Sequence, residues 1–439
     1  MSVKLLQSLK GHNSDVTCCD IYGRSTLYTG SSDKTVRVWK WQIGEGFQED
    51  EHSPFLGHKY GVTCVRISKK GDLLASSSVD GTTILWCTRS GSRRQMLVQD
   101  TGEPVRSCAF SPDGAVLVTG ADSGAACVWD NNNYQLIRVL HYHSDAVHSI
   151  CFSPDSQLLL SGCTMGNIRI MLNFWPDTSV ADAGESSCED EALVNLDAAH
   201  DLGVFGTDFS SRIITCNNNK NTIYTLATCG TDHLIKLWKI ISTQPEKGNP
   251  RGFQPIIIVE KISTVLAHGS TVTNVRFSMG GMMLASASLD KSVKLWTSQM
   301  NCKATLTEHT RYVNCICFNS DGMIMCSGSN DRLIMIWDVL GTLTLDSDIT
   351  KPHTVLTNLT LNMHLPDKYL CPITHELMAD PVICEDGFVY ERNAIESWFN
   401  SGNVRSPMTN ADIESTELQP NEELKLEIQQ FAEMNDCKI

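Results

Sequence analysis

The sequence predicts a mainly β protein: a ring of seven four-stranded units followed by a small α+β module. Three observations predict it. One pattern, typified by LASASLDKSVKLW, recurs with variation through the first 340 residues. Between its copies, short β-branched runs alternate with Gly, Ser, Asp and Asn turns such as FSPDG at 110–114. After residue 363 the composition shifts to a hairpin signal and two amphipathic helical stretches.

The repeats come first because self-similarity at a fixed period decides the architecture. The pattern ending at Trp296 returns at Trp39, Trp86, Trp238 and Trp337, each time with an Asp six residues earlier: Asp33, Asp80, Asp232, Asp290 and Asp331. A His precedes that Asp by twenty-two residues in His58, His268 and His309, by twenty-one in His12, and by thirty-two in His200, where a polar NNNKN insertion intervenes. Two further units keep the pattern weakly. One has His143 in register, with Met165 and Met171 in place of the Asp and Trp. The other keeps Trp129, with Thr101 in the place of the His and Ser123 in the place of the Asp.

These residues resemble the WD40 repeat, which implies a seven-bladed β-propeller over residues 1–340. In that family the His and Asp join a Ser or Thr and the Trp in one hydrogen-bonded network inside each blade. In the sixth unit the resemblance names His268, Ser286, Asp290 and Trp296. The role is structural: a buried imidazole and carboxylate need partners, and a complete network stiffens its blade. Recurrence in five units argues against five catalytic Ser-His-Asp sets, since an enzyme needs one site. The two incomplete units are expected to be softer.

A propeller must close on itself. VKLLQSLKGH reads as a strand that supplies the outermost strand of the seventh blade and removes an exposed edge. Two insertions interrupt the rhythm. Residues 173–199 hold seven acids and no base, and read as a surface loop with docking or modification as the sharper alternative. Residues 241–262 hold a Pro/Gly loop followed by IIIVE, read as an outer strand. Residues 341–363, Thr-rich and low in charge, read as a linker, with a brief pairing onto a neighbouring strand as a further reading.

In the tail, DPVICEDGFVY gives two short β runs about a Cys-Glu-Asp-Gly turn. Glu391 to Phe399 reads as a helix with Ile395, Trp398 and Phe399 on one face, and Gly402 is placed to end it. RSPMTN is a loop. NEELKLEIQQFAEM is a second helix, with Asn421 at its N-cap and Leu424, Ile428 and Phe431 as its stripe. Cys371-Pro-Ile-Thr, Asp380-Pro-Val, Gly387-Phe-Val-Tyr-Glu-Arg and Arg405-Ser-Pro-Met-Thr together resemble the U-box, a ring-like ubiquitin-ligase domain without zinc, over residues 364–437. Cys371, Cys384, His364 and His375 fit no four-ligand zinc spacing, so no metal or other cofactor is expected. Glu376, Asp380, Arg392, Ser406 and Thr409 are candidates for the polar ties that replace it. A domain of this size is only marginally stable by burial alone, so such ties carry weight.

The resemblance implies an E3 ubiquitin ligase of the ring type, which holds a ubiquitin-charged conjugating enzyme and forms no covalent intermediate. Its contribution is proximity and fixed geometry. The implied contact residues are Ile373 on the first loop, Trp398 on the helix, and Arg405, Ser406 and Pro407 on the second loop. Trp398 has core as an equal alternative. Ile373 is expected to be exposed, and the planar fork of Arg405 suits carbonyls on two partners at once. A protein substrate would sit on a propeller face. The rival is a scaffold whose U-box no longer transfers ubiquitin.

Composition narrows the partners. Net charge is −15, and residues 364–439 alone carry fifteen acids against five bases. No basic stripe exists for phosphate backbones, so nucleic acid is not an expected partner. No apolar run reaches bilayer length and the start lacks a signal-peptide pattern. Of eighteen cysteines, most lie in apolar strand-like runs with no C-x-x-C pair. They read as reduced, buried thiols of a cytoplasmic, and potentially also nuclear, protein. A propeller followed by a U-box resembles the WD repeat, SAM and U-box domain-containing family, although too few residues separate Asp338 from His364 for a helical SAM domain.

Overall fold

The computed structural model describes residues 3–99, 102–172, 194–216, 221–243, 256–345, 347, 349, 369, 371–373, 378–400, 405–408, 413, 415, 418–422, 424–425 and 427–428. The chain divides into two compact units, Met1–Thr350 and Lys351–Ile439.

In the first unit the described strands form seven antiparallel sheets, six of four strands and one of five. Six take their strands in chain order. The last is completed by Lys4–Lys10, which pairs with Leu333–Asp338 from Lys4↔Asp338 to Lys10↔Leu333. The amino-terminal strand therefore closes the ring as its pattern requires. IIIVE opens the outer strand Ile256–Leu266 of the fifth sheet, and the strands of that sheet run to 10–13 residues. The acidic stretch 173–193 lies outside the described residues.

Contact between sheets follows from one position. Each innermost strand begins with a valine, at 16, 62, 105, 147, 204, 272 and 313, and none is more than 1% exposed. Burying each contributes about 1.5–3 kcal/mol. Glycines on the neighbouring sheet make the room. A Cβ at Gly328 would stand 2.6 Å from Val16, and one at Gly30 would stand 2.7 Å from Val62. Side chains then stitch the same seams: the Thr17 hydroxyl donates to the Val62 carbonyl at 2.6 Å, Thr63 to Val105 at 2.6 Å, Thr273 to Val313 at 2.7 Å, and Asn314 to Val16 at 2.7 Å.

The stretch read as a linker from residue 341 is not one in its first part. The buried Asp338 carboxylate accepts the N–H groups of Leu340, Gly341 and Leu343, which turns the chain back. Leu343 and Ile349 are buried. The Trp41 indole donates to the Ser347 carbonyl at 3.0 Å, and Gly44 N–H to that of Leu345 at 2.8 Å. This segment straps onto the first blade. The rest of the predicted linker lies outside the described residues.

The second unit is built on a hairpin, Pro381–Ile383 with Val389–Glu391, and a short strand Gln419–Pro420 pairs on its open side. Gly387 takes φ +78° in the turn, a conformation that favours glycine. The helix runs Arg392–Asn400, one residue later than the sequence predicts. Glu391 stays in the strand because its carboxylate is engaged in accepting the N–H groups of Ala379 and Asp380. Asn421 caps the next helical turn as expected, accepting the Leu424 N–H at 3.1 Å. Tyr369, Cys371, Met378, Val382, Cys384, Tyr390, Ile395 and Ile428 form the core. Gly402 and Phe431 lie outside the described residues.

Candidate functional site

Five networks are complete in the first unit. His268 bonds to Asp290 at 2.9 Å and to Ser286 at 2.7 Å, and the Trp296 indole donates to the same Ser286 hydroxyl at 2.9 Å. The same geometry links His12, Asp33, Trp39 through Thr29, and His58, Asp80, Trp86 through Ser76. It recurs for His200, Asp232, Trp238 through Thr228, and His309, Asp331, Trp337 through Ser327. Burial would raise the Asp290 carboxyl. The Ser292 hydroxyl and His268 outweigh it and hold the group down to about 2. Each of the five hydroxyls is fully buried and bonded to both the imidazole and the indole, so no substrate reaches it and its role is structural.

The two weak units differ from the expectation and from each other. In the third, the amide of buried Gln99 donates to Thr119 at 2.9 Å, the hydroxyl that also takes the Trp129 indole. Gln99 stands in for the missing His; Thr101 lies outside the described residues. Asp122, one place off register, pairs instead with Arg106 at 2.5 Å. In the fourth, His143 keeps only Ser161, at 2.8 Å. Its Nδ1 is buried without a partner among the described residues, and burial together with Arg169 pushes the imidazole down to about 4.

At the end of the ring that carries these networks, the innermost strands line a cavity of about 460 Å³. Its lining includes Arg106, and His148 stacked 4.7 Å from Phe205. Arg66 and Arg276 also line it. Asp20 and Asp208 accept the N–H groups of Ile67 and Phe277, and burial pushes both carboxyls up against the pull of the arginines.

In the second unit Asp380 is the hub. One carboxylate oxygen takes Arg392 Nε at 2.6 Å, the other Lys425 Nζ at 2.8 Å. Lys425 and Arg392 together hold its carboxyl below the usual range. This joins the first loop to the helix start and to the second helical turn, as a shared metal would. Asp386 takes the Tyr390 hydroxyl at 2.7 Å, and Glu385 takes the Ser415 N–H at 2.6 Å. Of the predicted ties, Asp380 and Arg392 meet. Glu376 and Thr409 lie outside the described residues, and Lys425, Glu391 and Asp386 were missed. Lys425 has no signal beyond its place after an N-cap.

Cys371 and Cys384 are both core residues, and burial pushes the Cys384 thiol up. Cys371 is fully buried and its sulfur accepts the Glu391 N–H at 3.2 Å. Among the described residues no three His, Cys, Asp or Glu side chains are placed to hold a metal. His364 and His375 lie outside them.

The predicted contact residues separate. Arg405 is exposed and Pro407 half-buried. Trp398 packs against the core and its indole donates to the Arg405 carbonyl at 2.8 Å, so it fixes the loop from below. Ile373 is half-buried, packed partly against the core with the rest of its surface open. Ser406, named both as a contact and as a polar tie, is 2% exposed, and its hydroxyl accepts the Met408 N–H at 3.2 Å, so its side chain acts as a tie inside the loop rather than as exposed surface. Met408, 50% exposed beside Pro407, is an apolar contact candidate that the sequence reading passed over.

Comparison with known proteins agrees with both units. The U-box domain family model matches residues 365–437. The model for the WD domain, G-beta repeat, matches 3–40, 50–87, 93–130, 134–170, 259–297 and 300–338; the unit from His200 to Trp238 lies outside these spans. The chain is 31% identical to human WD repeat, SAM and U-box domain-containing protein 1 over 507 positions, covering 98% of this chain and 99% of the relative. It is 32% identical to the Danio rerio protein of that name, covering 97% and 98%. The U-box domain-containing protein 32 of Arabidopsis thaliana is 50% identical over 66 residues, 15% of this chain and 8% of that one. The human alignment is longer than the 439 residues here, so parts of that relative fall opposite gaps, in keeping with the short stretch between propeller and tail. The chain belongs to the WD repeat, SAM and U-box domain-containing protein family.

Proposed function

We propose that this protein is an E3 ubiquitin ligase. Its U-box binds a ubiquitin-charged conjugating enzyme and promotes transfer to a lysine of a substrate recruited by the propeller. The observation that carries the reading is the pair of loops tied by side chains in place of metal: Asp380 to Arg392 and Lys425, and Trp398 to the Arg405 carbonyl. Such ties preorganise a binding surface, and a ring-type ligase works through a preorganised surface. Arg405 and Pro407 offer the contact on the second loop, with Met408 beside them. The half-exposed edge of Ile373 offers it on the first. Cys371 is no thioester nucleophile, since it is sealed in the core. The described cysteines are free thiols, which supports a reducing compartment, the cytoplasm or nucleus.

Self-ubiquitination in vitro with a panel of conjugating enzymes tests the reading. Wild type is expected to build conjugates, with Ile373→Ala and Arg405→Ala each much slower. Equal inactivity of all three across the panel would move the assignment to a scaffold.

A further inference from the structure

The second blade carries a local reversal of charge. The turn between the first two strands of a blade has an aspartate in three other blades, Asp113, Asp155 and Asp321. Each accepts a backbone N–H two residues on, which is what aspartate does in such turns. In the second blade the corresponding stretch is Ser68-Lys69-Lys70-Gly71, with Lys70 at that place; the first, fifth and sixth blades also lack the aspartate. The turn stays closed, because the Gly71 N–H bonds to the Ser68 carbonyl at 2.8 Å and the next residue, Asp72, takes the Ser68 hydroxyl. The fold therefore holds this turn while two cations stand at its tip.

The next turn at the same end of that blade adds Arg89, and Arg94 follows on the outer strand. Lys69, Lys70, Arg89 and Arg94 line one groove of about 690 Å³ between the second and third blades. It lies at the end of the blades opposite the His–Asp networks, because these turns alternate with those that bear the networks. All four side chains are exposed, and none has an ion-pair partner among the described residues; Arg94 touches only the Cys87 sulfur, at 3.8 Å. Two carboxylates share the groove and offset part of its charge: Asp72, with one oxygen accepting the Ser68 hydroxyl at 2.8 Å, and Asp113, with one oxygen accepting the Ser111 hydroxyl and the Ala115 N–H. The four cations still outnumber them by two.

The backbone under the cations is fixed. Tyr22 lies under Gly71 and donates its hydroxyl to the Lys70 carbonyl at 3.0 Å. The Arg89 turn is closed by Gly91 N–H on the Cys87 carbonyl at 2.9 Å. Only the side chains then have freedom to lose when an anion arrives. In a chain of net charge −15 this groove is a local basic site.

We propose that this groove binds an acidic peptide segment carrying phosphoserine or phosphothreonine. Two arginine forks and two ammonium groups suit a doubly charged phosphate flanked by carboxylates. The recess is concave, with Tyr134 and Pro112 in its walls, which suits a chain of side chains better than a lipid surface. The binding neither requires nor supplies the ligase activity.

Fluorescence polarisation with the full chain tests it. The probes are a pool of twelve-residue Glu/Asp-rich peptides with one phosphoserine or phosphothreonine, the same pool dephosphorylated, and anionic phosphatidylserine vesicles by flotation. The phosphorylated pool is expected to bind roughly tenfold more tightly than the dephosphorylated one. Lys69→Glu/Lys70→Glu and Arg89→Glu/Arg94→Glu should each weaken it roughly tenfold, while Lys10→Glu/Lys303→Glu, with the same change in net charge, should alter it less than about twofold. No preference for phosphate, equal loss in the control, or vesicle binding in place of peptide binding would overturn the proposal. Inactive ligase with intact peptide binding would remove the ligase reading alone.

Discussion

The Trp398 indole holds the Arg405 carbonyl at 2.8 Å, so the helix of the U-box sets the height of the loop that follows it. Trp398→Phe keeps an aromatic ring against the core and deletes the donor. The tail should lose about 1 kcal/mol of stability. Ubiquitin transfer should fall severalfold at saturating conjugating enzyme, since the loop is no longer fixed. Unchanged transfer in a variant that melts normally would show that the loop is positioned by other contacts.

Asp380 should make the tail acid-sensitive. Its folded carboxyl is held low by Lys425 and Arg392, so its contribution is complete above the unfolded value near 4 and is lost as pH falls through the folded value. Asp380→Asn should lower the melting midpoint of the tail at pH 7, and the gap between variant and wild type should shrink as pH falls below about 4. Calorimetry of both proteins over a pH series checks this.

The fourth blade should be the acid-labile part of the propeller. His143 sits near 4 when folded against about 6.5 when free, so the unfolded chain binds the proton first. Its full contribution is present above pH 6.5, and about 3 kcal/mol is lost by pH 4. The third blade shows the remedy, because Gln99 donates to its hydroxyl without titrating. His143→Gln should fold, keep the bond to Ser161, and flatten stability between pH 6.5 and 4. An unchanged pH profile by denaturant titration would place the sensitive group elsewhere.

Thr228→Ala should be costly although it removes few atoms. It strands the His200 imidazole and the Trp238 indole, both buried. About 2–4 kcal/mol is expected in chemical denaturation. Thr228→Ser, which keeps the hydroxyl, should recover most of it.

Ligase activity should fall as salt rises. The residue span 364–439 carries a net −10, which draws a basic partner and speeds encounter until ions screen it. Initial rates from 50 to 500 mM salt at low enzyme concentration test this; a flat response would leave encounter to apolar contact alone.

The residues that could be read from sequence are those whose spacing is set by the backbone. The His, Asp and Trp of each network sit at fixed offsets because strand and turn lengths fix them, and all five sets assembled. The shared hydroxyl lies ten residues before each Trp. Ser and Thr are too common in these strands for that spacing to stand out, and only Ser286 was named. Gln99 could not be foreseen, since a longer side chain reaches the site from an off-register position. Ser406 carries two readings, contact and polar tie, and Ile373 one, contact; which side of each faces inward depends on the packing around it and has no signal in the residue types. The strap beyond Asp338 is legible only as a linker able to pair with some neighbour; which neighbour is not, because its anchors, Trp41 and Gly44, lie some three hundred residues away.

Pairing Lys4 with Asp338 also orders events during synthesis. A strand that precedes every other strand of the toroid finds its partner only when nearly all of the toroid has been made. Until then the Val16 edge waits for the seventh blade, and the nascent chain offers open strand edges to chaperones and to neighbouring chains. The U-box follows the toroid in the chain, so the ring can close before that domain has been made.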